Sequence, residues 1–397
     1  MQPIRNLLGA PDMTLFTFFS LLLAFFYAAL MSLYRIGWRR LPVWSPPTDY
    51  RPKLALSVLV PARNEAAQIT DCLATISAQD YPPGLLEILV IDDHSEDGTA
   101  EVVEKIGADD ARIRLIRLSD HLDPARPIVA YKKKALEIAV AQARGAVIVT
   151  TDADCLAPAN WLRLLASVFE TRPDAQFVTA PVLLHRERGL LQRFQSLDLI
   201  GLMGVTGAGI HLGFQRMGNG ANMAFRPGAF EAVQGYAGNT DRASGDDLFL
   251  MQKVAVRYPD GIFFLKNPEA AVRTLAPAGL GGFLGQRIRW ASKNAALCEW
   301  PIRLSLALLW LFCCSILVVG LLALFHPARM LPLAIGLAGV KMGADWLHLR
   351  VLTRFFGRGD LLRSFLPAVL LHVLYVVFVG AIGLRAGRYA WKGRIVR

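Results

Sequence analysis

The sequence predicts an α/β domain with a parallel sheet covered on both faces, set between an amino-terminal membrane anchor and carboxy-terminal membrane helices. Three observations carry this. Continuous apolar runs alternate with helix-like stretches from residue 54 onward, the pattern of strands buried on both faces. The uncharged stretch from Met13 to Tyr34 precedes them and is long enough to cross a bilayer. Residues 304–384 are again largely apolar.

Composition agrees. A chain of 397 residues that is 54% hydrophobic and 19% charged is too apolar for a purely soluble protein and too charged for a bare membrane bundle. The net charge of +11 does not indicate nucleic acid, because the 43 Lys and Arg are scattered and many flank apolar segments. The cysteines Cys72, Cys155, Cys298, Cys313 and Cys314 form no CxxC pair and read as reduced packing residues of a chain facing the cytosol.

The elements follow in order. Residues 1–12 form a tail and 13–35 a transmembrane helix, too long for a cleavable signal and without a small-residue cleavage site. Arg35, Arg39 and Arg40 follow it against Arg5 before it, which puts the next segment in the cytoplasm. A linker spans 36–53. A block over 54–300 then opens with a strand at Leu54–Val60 closed by Pro61, and a helix from Glu65. Next come a strand at Leu85–Ile91, a helix at Thr99–Ile106, a strand at Ile113–Ile116, a helix at Lys132–Ala143 and a strand at Ala146–Thr150.

The membrane region over 304–384 holds about three segments: Leu304–Phe325, a weaker one at Met330–Leu349, and Phe365–Leu384. Lys341 and Asp345 interrupt the second and can pair at i,i+4 on one helix face. Four full crossings would leave the basic tail, residues 385–397, outside. Yet that tail and the loop carrying Arg350, Arg354, Arg358 and Arg363 both belong inside by their charge. One segment is therefore expected to be re-entrant or interfacial, and the sequence does not say which.

Acidic residues fall at the carboxyl ends of the strands, where such sheets bind ligands. Asp92 and Asp93 end one strand. Asp152 and Asp154 end another in "VIVTTDADC", with side chains at i and i+2 on one face. Two such carboxylates either form turns and caps or hold a hard divalent cation, often shared with phosphate. Asp246 and Asp247 in "SGDDLFL" start a helix, as caps or as a site. "GNGANMAFR" (218–226) is a glycine-rich turn able to bring backbone amides near a ligand, or a plain turn before a strand. The lysines of "YKKKAL" open a helix as a solvated face or as a phosphate site. "QRIRW" (286–290) reads as an interfacial basic and aromatic stretch.

In that order, "SVLVPARNE", "VIDDHSEDGT", "KKKAL", "TDAD", "GDD" and "QRIRW" resemble the membrane-bound, inverting family 2 glycosyltransferases, the group of cellulose, chitin and hyaluronan synthases and many lipid-directed sugar transferases. The resemblance covers residues 54–300. It implies a Rossmann-like GT-A catalytic domain and carries roles onto residues. Pro61, Arg63, Glu65 and Asp93 match the positions that hold the nucleotide, with Asp92 supporting the same loop. Lys132 matches a basic residue near the donor pocket. Asp152 and Asp154 match the DxD motif, Asp154 as the metal ligand and Asp152 nearer the ribose. Asp247 matches the catalytic base, while Asp246 stands where the family commonly has Glu, the same charge with a shorter reach. Gln286, Arg289 and Trp290 match QxxRW, Arg289 bonding the diphosphate and Trp290 stacking on the acceptor sugar.

The resemblance thus implies transfer from a nucleotide sugar, taken as a UDP-sugar, with Mg2+ or Mn2+, at the cytoplasmic face of the inner membrane in a multi-pass protein. The acceptor is expected to be a lipid or a lipid-linked sugar, since three segments are few for a polymer channel. A processive polysaccharide synthase, completed by a partner subunit, is the alternative that QxxRW favours. A non-catalytic nucleotide-binding membrane protein is a second.

Overall fold

The protein is described here by a computed structural model covering residues 10–123, 128–242, 244–292, 299–383, 389–391 and 394–396. Arg5, Cys298 and most of the basic tail lie outside those residues. The chain divides into two compact units. One comprises Met1–Arg40, Arg188–Ala208 and Ala278–Ala386, the other Leu41–Glu187, Gly209–Pro277 and Gly387–Arg397. Two segments inside the 54–300 block, the apolar 188–208 and the QRIRW region, therefore group with the terminal helices.

In chain order, α1 (Ala10–Arg40) leads to β1 (Leu56–Ala62), α2 (Ile69–Ser77), β2 (Leu86–Asp92), α3 (Thr99–Asp109) and β3 (Ile113–Arg117). Then follow α4 (Tyr131–Gln142), β4 (Val147–Thr150), α5 (Trp161–Thr171), β5 (Phe177–Thr179), β6 (Val182–His185) and α6 (Gly189–His211). β7 (Met223–Phe225), α7 (Pro227–Ala232), α8 (Asp246–Arg257), β8 (Ile262–Phe264), β9 (Val272–Leu275) and α9 (Gly279–Ala291) come next. The chain closes with α10 (Trp300–Phe325), α11 (Pro327–Phe355), α12 (Phe365–Gly383), β10 (Tyr389–Trp391) and β11 (Arg394–Val396).

In the second unit a seven-stranded sheet has the order β3-β2-β1-β4-β7-β5-β8. Only β7 runs against the rest, antiparallel to both β4 and β5. Two features of the sheet place the acidic residues. The parallel strands β1, β2 and β4 end at one edge, so Arg63, Asp92 and the 152–154 loop emerge together. β7 enters from that same edge, because Met223 pairs with Thr150, and this brings Gly220 there as well. Leu59, Leu89, Ile91, Ile148 and Phe225 pack with Leu136 of α4 and Leu250 and Met251 of α8 into one core.

Most boundaries shift by one to a few residues from the sequence expectation, and two of the shifts have a clear local cause. β1 runs through Pro61 to Ala62, because its pairing with β4 stops at Leu59. The missing N–H of Pro61 points toward that vacated side, so no ladder bond is lost there. α2 starts at Ile69 rather than Glu65. The amides of Asn64, Glu65 and Ala66 are engaged by the side chains of Ser95, Thr99 and Asp97, at 3.0, 2.8 and 3.0 Å.

The first unit is helical. Among the described residues, four helices are long and apolar enough to cross a membrane. α1 and α11 run parallel. Arg329 bonds Thr14, Lys341 bonds Tyr27 at 3.1 Å, and Trp38 meets Phe355 with ring centroids 5.3 Å apart. α10 runs antiparallel to α1, with Phe312 against Tyr27 and Ser305 against Tyr34. α12 meets α10 from its middle toward its carboxyl end: Val373 and Val376 cluster with Cys313, Leu309 and Ile316, the Trp310 indole donates to the Val377 carbonyl at 3.3 Å, and Gly380 lies against the Trp310 ring. Its first residue, Phe365, packs on Trp346 at 5.0 Å, and Gly383 at its other end approaches Ala291 of α9. The far ends of α10 and α11 cluster through Ala323, Met330 and Leu333 without any α12 residue among them.

In the sheet unit, Asn222 is fully buried and ties three segments. It accepts from the Trp161 indole at 2.8 Å and donates to the carbonyls of Pro181 and Ala270 at 2.7 and 2.8 Å. Asn222→Ala leaves the buried Trp161 donor and the Ala270 carbonyl without that partner, while the Pro181 carbonyl keeps the Val272 amide at 3.1 Å. It is expected to destabilise the protein by about 3 kcal/mol or more, read as a drop in thermal midpoint of the detergent-purified chain.

Candidate functional site

The β1–α2 and β2–α3 loops are laced together. Arg63, nearly buried, donates from Nη1 to the Asp93 carbonyl at 2.8 Å and lies 3.9 Å from the Asp93 carboxylate. His94 sits at φ 54° with Nδ1 3.0 Å from Asp93 Oδ1. Its ring meets Tyr131 edge-on at 5.8 Å. Asp92 ends β2, and its carboxylate accepts from the Ser95 amide at 3.3 Å. Pro61 contributes backbone to β1. Asp97 receives the Thr99 amide and hydroxyl and the Ala66 amide. Burial opposes ionisation there, but those hydrogen bonds outweigh it and hold the carboxyl below its usual range.

The acidic residues converge on one ammonium. Lys132 Nζ lies 2.6 Å from Asp152 Oδ1 and 3.4 Å from Asp246 Oδ2. Burial alone would lower its pKa, but Asp152, Asp246 and Asp247 outweigh burial and raise it, so Lys132 is charged. Asp247 is oriented by backbone. Its Oδ2 accepts from the Gly220 amide at 3.2 Å and its Oδ1 from the Leu248 amide at 2.7 Å. The absence of a side chain at Gly220 eases that approach, since a Cβ there would stand 3.0 Å from Asp246 Oδ2 and press on that carboxylate.

Asp154 is gripped at both oxygens. Thr274 Oγ1 donates to Oδ2 at 3.2 Å and the Cys155 thiol to Oδ1 at 3.5 Å. Ligand atoms of Asp152, Asp154 and Cys155 lie within 4.8 Å of one another. Burial first, then the carboxylates of Asp154 and Asp152, push the Cys155 thiol well above its usual range. The donors left are carboxylate oxygens, the set a hard Mg2+ or Mn2+ takes. The residues fit such an ion.

The sheet unit therefore brings together Arg63, Glu65, Asp93, Lys132, Asp152, Asp154, Asp246 and Asp247 on neighbouring loops. Gln286, Arg289 and Trp290 lie on α9 of the other unit, all partly exposed. There the Trp290 ring is stacked by Arg287, whose guanidinium carbon stands 4.3 Å from its centroid.

Sequence reasoning passed over Tyr131, His94, Thr274 and the lysine next to Lys132. Lys133 is fully buried and donates to the carbonyls of Asn239 and Arg242 at 2.7 and 2.9 Å, pinning the loop before the acidic pair. A lysine inside a helix whose neighbours are Ala135 and Leu136 was the available signal.

Comparison with known proteins follows this geometry. The model described as glycosyl transferase family 2 matches residues 57–197, and that described as glycosyl transferase family group 2 matches residues 147–380. An N-acetylglucosaminyltransferase of Mesorhizobium japonicum is 25% identical over 277 residues, 67% of this chain and 63% of that protein. Poly-beta-1,6-N-acetyl-D-glucosamine synthase of Staphylococcus aureus is 27% identical over 237 residues, 59% of this chain and 53% of that one. Glycosyltransferase AglE of Haloferax volcanii is 30% identical over 107 residues, 27% of this chain and 33% of its own. The chain thus spans between a third and just under two thirds of these relatives. Among solved structures, the mannosyltransferase PcManGT from Pyrobaculum calidifontis in complex with GDP-Man and Mn2+ superposes with a TM-score of 0.57. It is 22% identical and covers 93% of this chain and 99% of its own. At that identity the fold is what is shared: the mostly parallel sheet is the Rossmann-like GT-A arrangement.

The acidic pair depends on Gly245, which caps α8 at φ 90°. A Cβ there would stand 2.6 Å from the Phe249 ring. Gly245→Ala combines left-handed strain with a clash and is expected to cost about 2 kcal/mol. Thermal unfolding beside the control Gly228→Ala, a helical position where a Cβ meets nothing and no destabilisation is expected, checks this.

Proposed function

We propose, for a chain that belongs to glycosyl transferase family group 2, transfer of one sugar from a UDP-sugar to a lipid or lipid-linked acceptor, with inversion, at the cytoplasmic membrane face. One observation carries the reading: the carboxylates of Asp152 and Asp246 share the Lys132 ammonium, with Asp247 near enough to act on its charge, at the edge of the sheet where its parallel strands end. Likeness to N-acetylglucosaminyltransferases and to a polysaccharide synthase supports a sugar donor.

The chemistry follows from the side chains. In this reading Pro61, Arg63, Glu65 and Asp93 hold the base and ribose, with His94 and Tyr131 beside them. Lys132 and Asp152 face the ribose and diphosphate. Asp154, supported by Asp152, would hold Mg2+ or Mn2+, and such an ion stabilises the charge that grows on the departing diphosphate. Asp247 takes the proton of the attacking hydroxyl, since a sugar or lipid alcohol is a poor nucleophile unaided. The Gly220 and Leu248 amides fix that carboxylate without neutralising it. One base and one displacement give inversion at the anomeric carbon. Asp246 forms an ion pair with Lys132 and so links the base to the donor side. Gln286, Arg289 and Trp290 come to this reading through the family resemblance, as diphosphate and acceptor contacts.

Helix packing supports a membrane arrangement with three crossings, α1, α10 and α11. α12 stays in the half where α1 ends, because its start lies level with Trp346, its middle level with Cys313 and its end against α9. The chain then leaves α12 on the side where Arg39, Arg40, Arg350 and Arg354 cluster. This removes the charge conflict that four crossings create.

Two outcomes are expected. Asp247→Asn lowers turnover by about 10²–10⁴-fold while UDP binding, measured by calorimetry with Mg2+ or Mn2+, stays nearly unchanged. Loss of binding together with activity would remove Asp247 from the role of base. Mass spectrometry of the product of the unaltered protein separates one added sugar from a ladder. A reporter fused after Arg397 should be active on the same side as one inserted at Asp49 in the linker. Opposite sides would mean that α12 crosses.

A further inference from the structure

A charged lock joins three helices of the membrane unit. Arg287 of α9 is 5% exposed at its side chain, and its Nη2 lies 2.7 Å from Asp198 Oδ2 of α6. Asp198 also accepts from the Tyr375 hydroxyl of α12 at 3.3 Å and stands 3.8 Å from His372 Nε2. Around the guanidinium are the rings of Trp290 at 4.3 Å, Phe283 at 5.3 Å and Tyr375 at 5.9 Å. Phe194 of α6 closes the box against Phe283 and Tyr375.

Resting on the proposed function, we propose that Arg287 is a positioning residue: anchored by Asp198, it fixes the face of the Trp290 ring that is offered to the acceptor. Three facts carry the assignment. A planar guanidinium can stack on an indole while bonding a carboxylate in its own plane. Trp290 itself is only partly buried, so one face is covered by Arg287 and the ring keeps contact area for a ligand. A buried ion pair adds little net stability by itself, so its use here is orientation. The motif spacing QxxRW passes over Arg287, which occupies one of the two unspecified places.

The test is a double-mutant cycle on the purified full chain. Native membrane lipid extract serves as acceptor and UDP with Mg2+ as the binding probe. Arg287→Lys keeps the charge but loses the planar stack. It is expected to raise the acceptor KM about tenfold, as a misaligned binding group does, with UDP affinity unchanged. Trp290→Ala should raise the acceptor KM as well, and Arg287→Lys should then add nothing in that background. Asp198→Asn, which releases the anchor, should reproduce the Arg287→Lys shift, and Trp290→Phe should restore part of the KM that Trp290→Ala loses. Independent, multiplying effects of Arg287→Lys and Trp290→Ala overturn the proposal, as does a fall in UDP affinity equal to the rise in KM. An unchanged KM in Trp290→Ala overturns it together with the acceptor role of Trp290. The base role of Asp247, read in its own assay, is untouched by that result.

Discussion

The site depends on one ammonium placed among like charges. Asp152, Asp246 and Asp247 come from the end of β4 and the start of α8, and without a cation between them their repulsion would push those elements apart. Lys132, on the first turn of α4, sits between Asp152 and Asp246. The amino-terminal end of α8 adds its own partial positive charge beneath Asp246 and Asp247. Successive residues on a helix point about 100° apart, so Lys133 turns away from the acids and donates to the carbonyls of Asn239 and Arg242. Two adjacent lysines thus hold opposite sides of one loop. One balances the acidic charge, and the other fixes the backbone that delivers it.

That arrangement was readable in part. The central strands showed as unbroken apolar runs because both faces of β1, β2 and β4 are covered, and the acidic residues showed because parallel strands end together. The strands β5, β7 and β8 have three residues each, too few for any periodicity, so the reversal at β7 was invisible. With it went the contact between the Gly220 amide and Asp247, which exists only because β7 runs backward into β4. His94 and Tyr131 were missed for a different reason. Their ring contact joins a residue of the β2–α3 loop to the first residue of α4, and no spacing along the chain encodes it. The same holds for Thr274, which reaches Asp154 from a strand of the second, two-stranded sheet.

The interruption of α11 by Lys341 and Asp345 was legible as an i,i+4 pair, but its third member was not. Tyr27 of α1 bonds both, donating to Asp345 and receiving from Lys341, and its ring also lies 5.1 Å under the Lys341 ammonium. Inside a membrane an unpaired charge costs several kcal/mol, so a slip of α1 past α11 by a few residues would strand one of these groups. The pair makes the α11 segment more polar than the α10 one, and in exchange it fixes a single register between two parallel helices. Apolar packing alone would tolerate neighbouring registers, because Leu against Leu differs little from Leu against lipid.

The consequence reaches α12. With α1 and α11 parallel and α10 returning between them, the connection from the end of α11 to Phe365 spans only a short 3-10 turn, Gly359–Ser364. Arg193 of α6 holds that turn through Ser364 and the Asp360 carbonyl at 2.9 and 2.6 Å. From there α12 has its polar side chains, His372 and Tyr375, directed at Asp198 rather than at lipid. A helix that crossed fully would have to carry those two groups past the apolar middle of the bundle and give up Asp198. In the proposed arrangement α12, held at its start by Arg193 and at its middle by Asp198, stays level with the half of the bundle where α1 ends. In the proposed three-crossing arrangement these polar contacts are what would keep this strongly apolar segment from crossing.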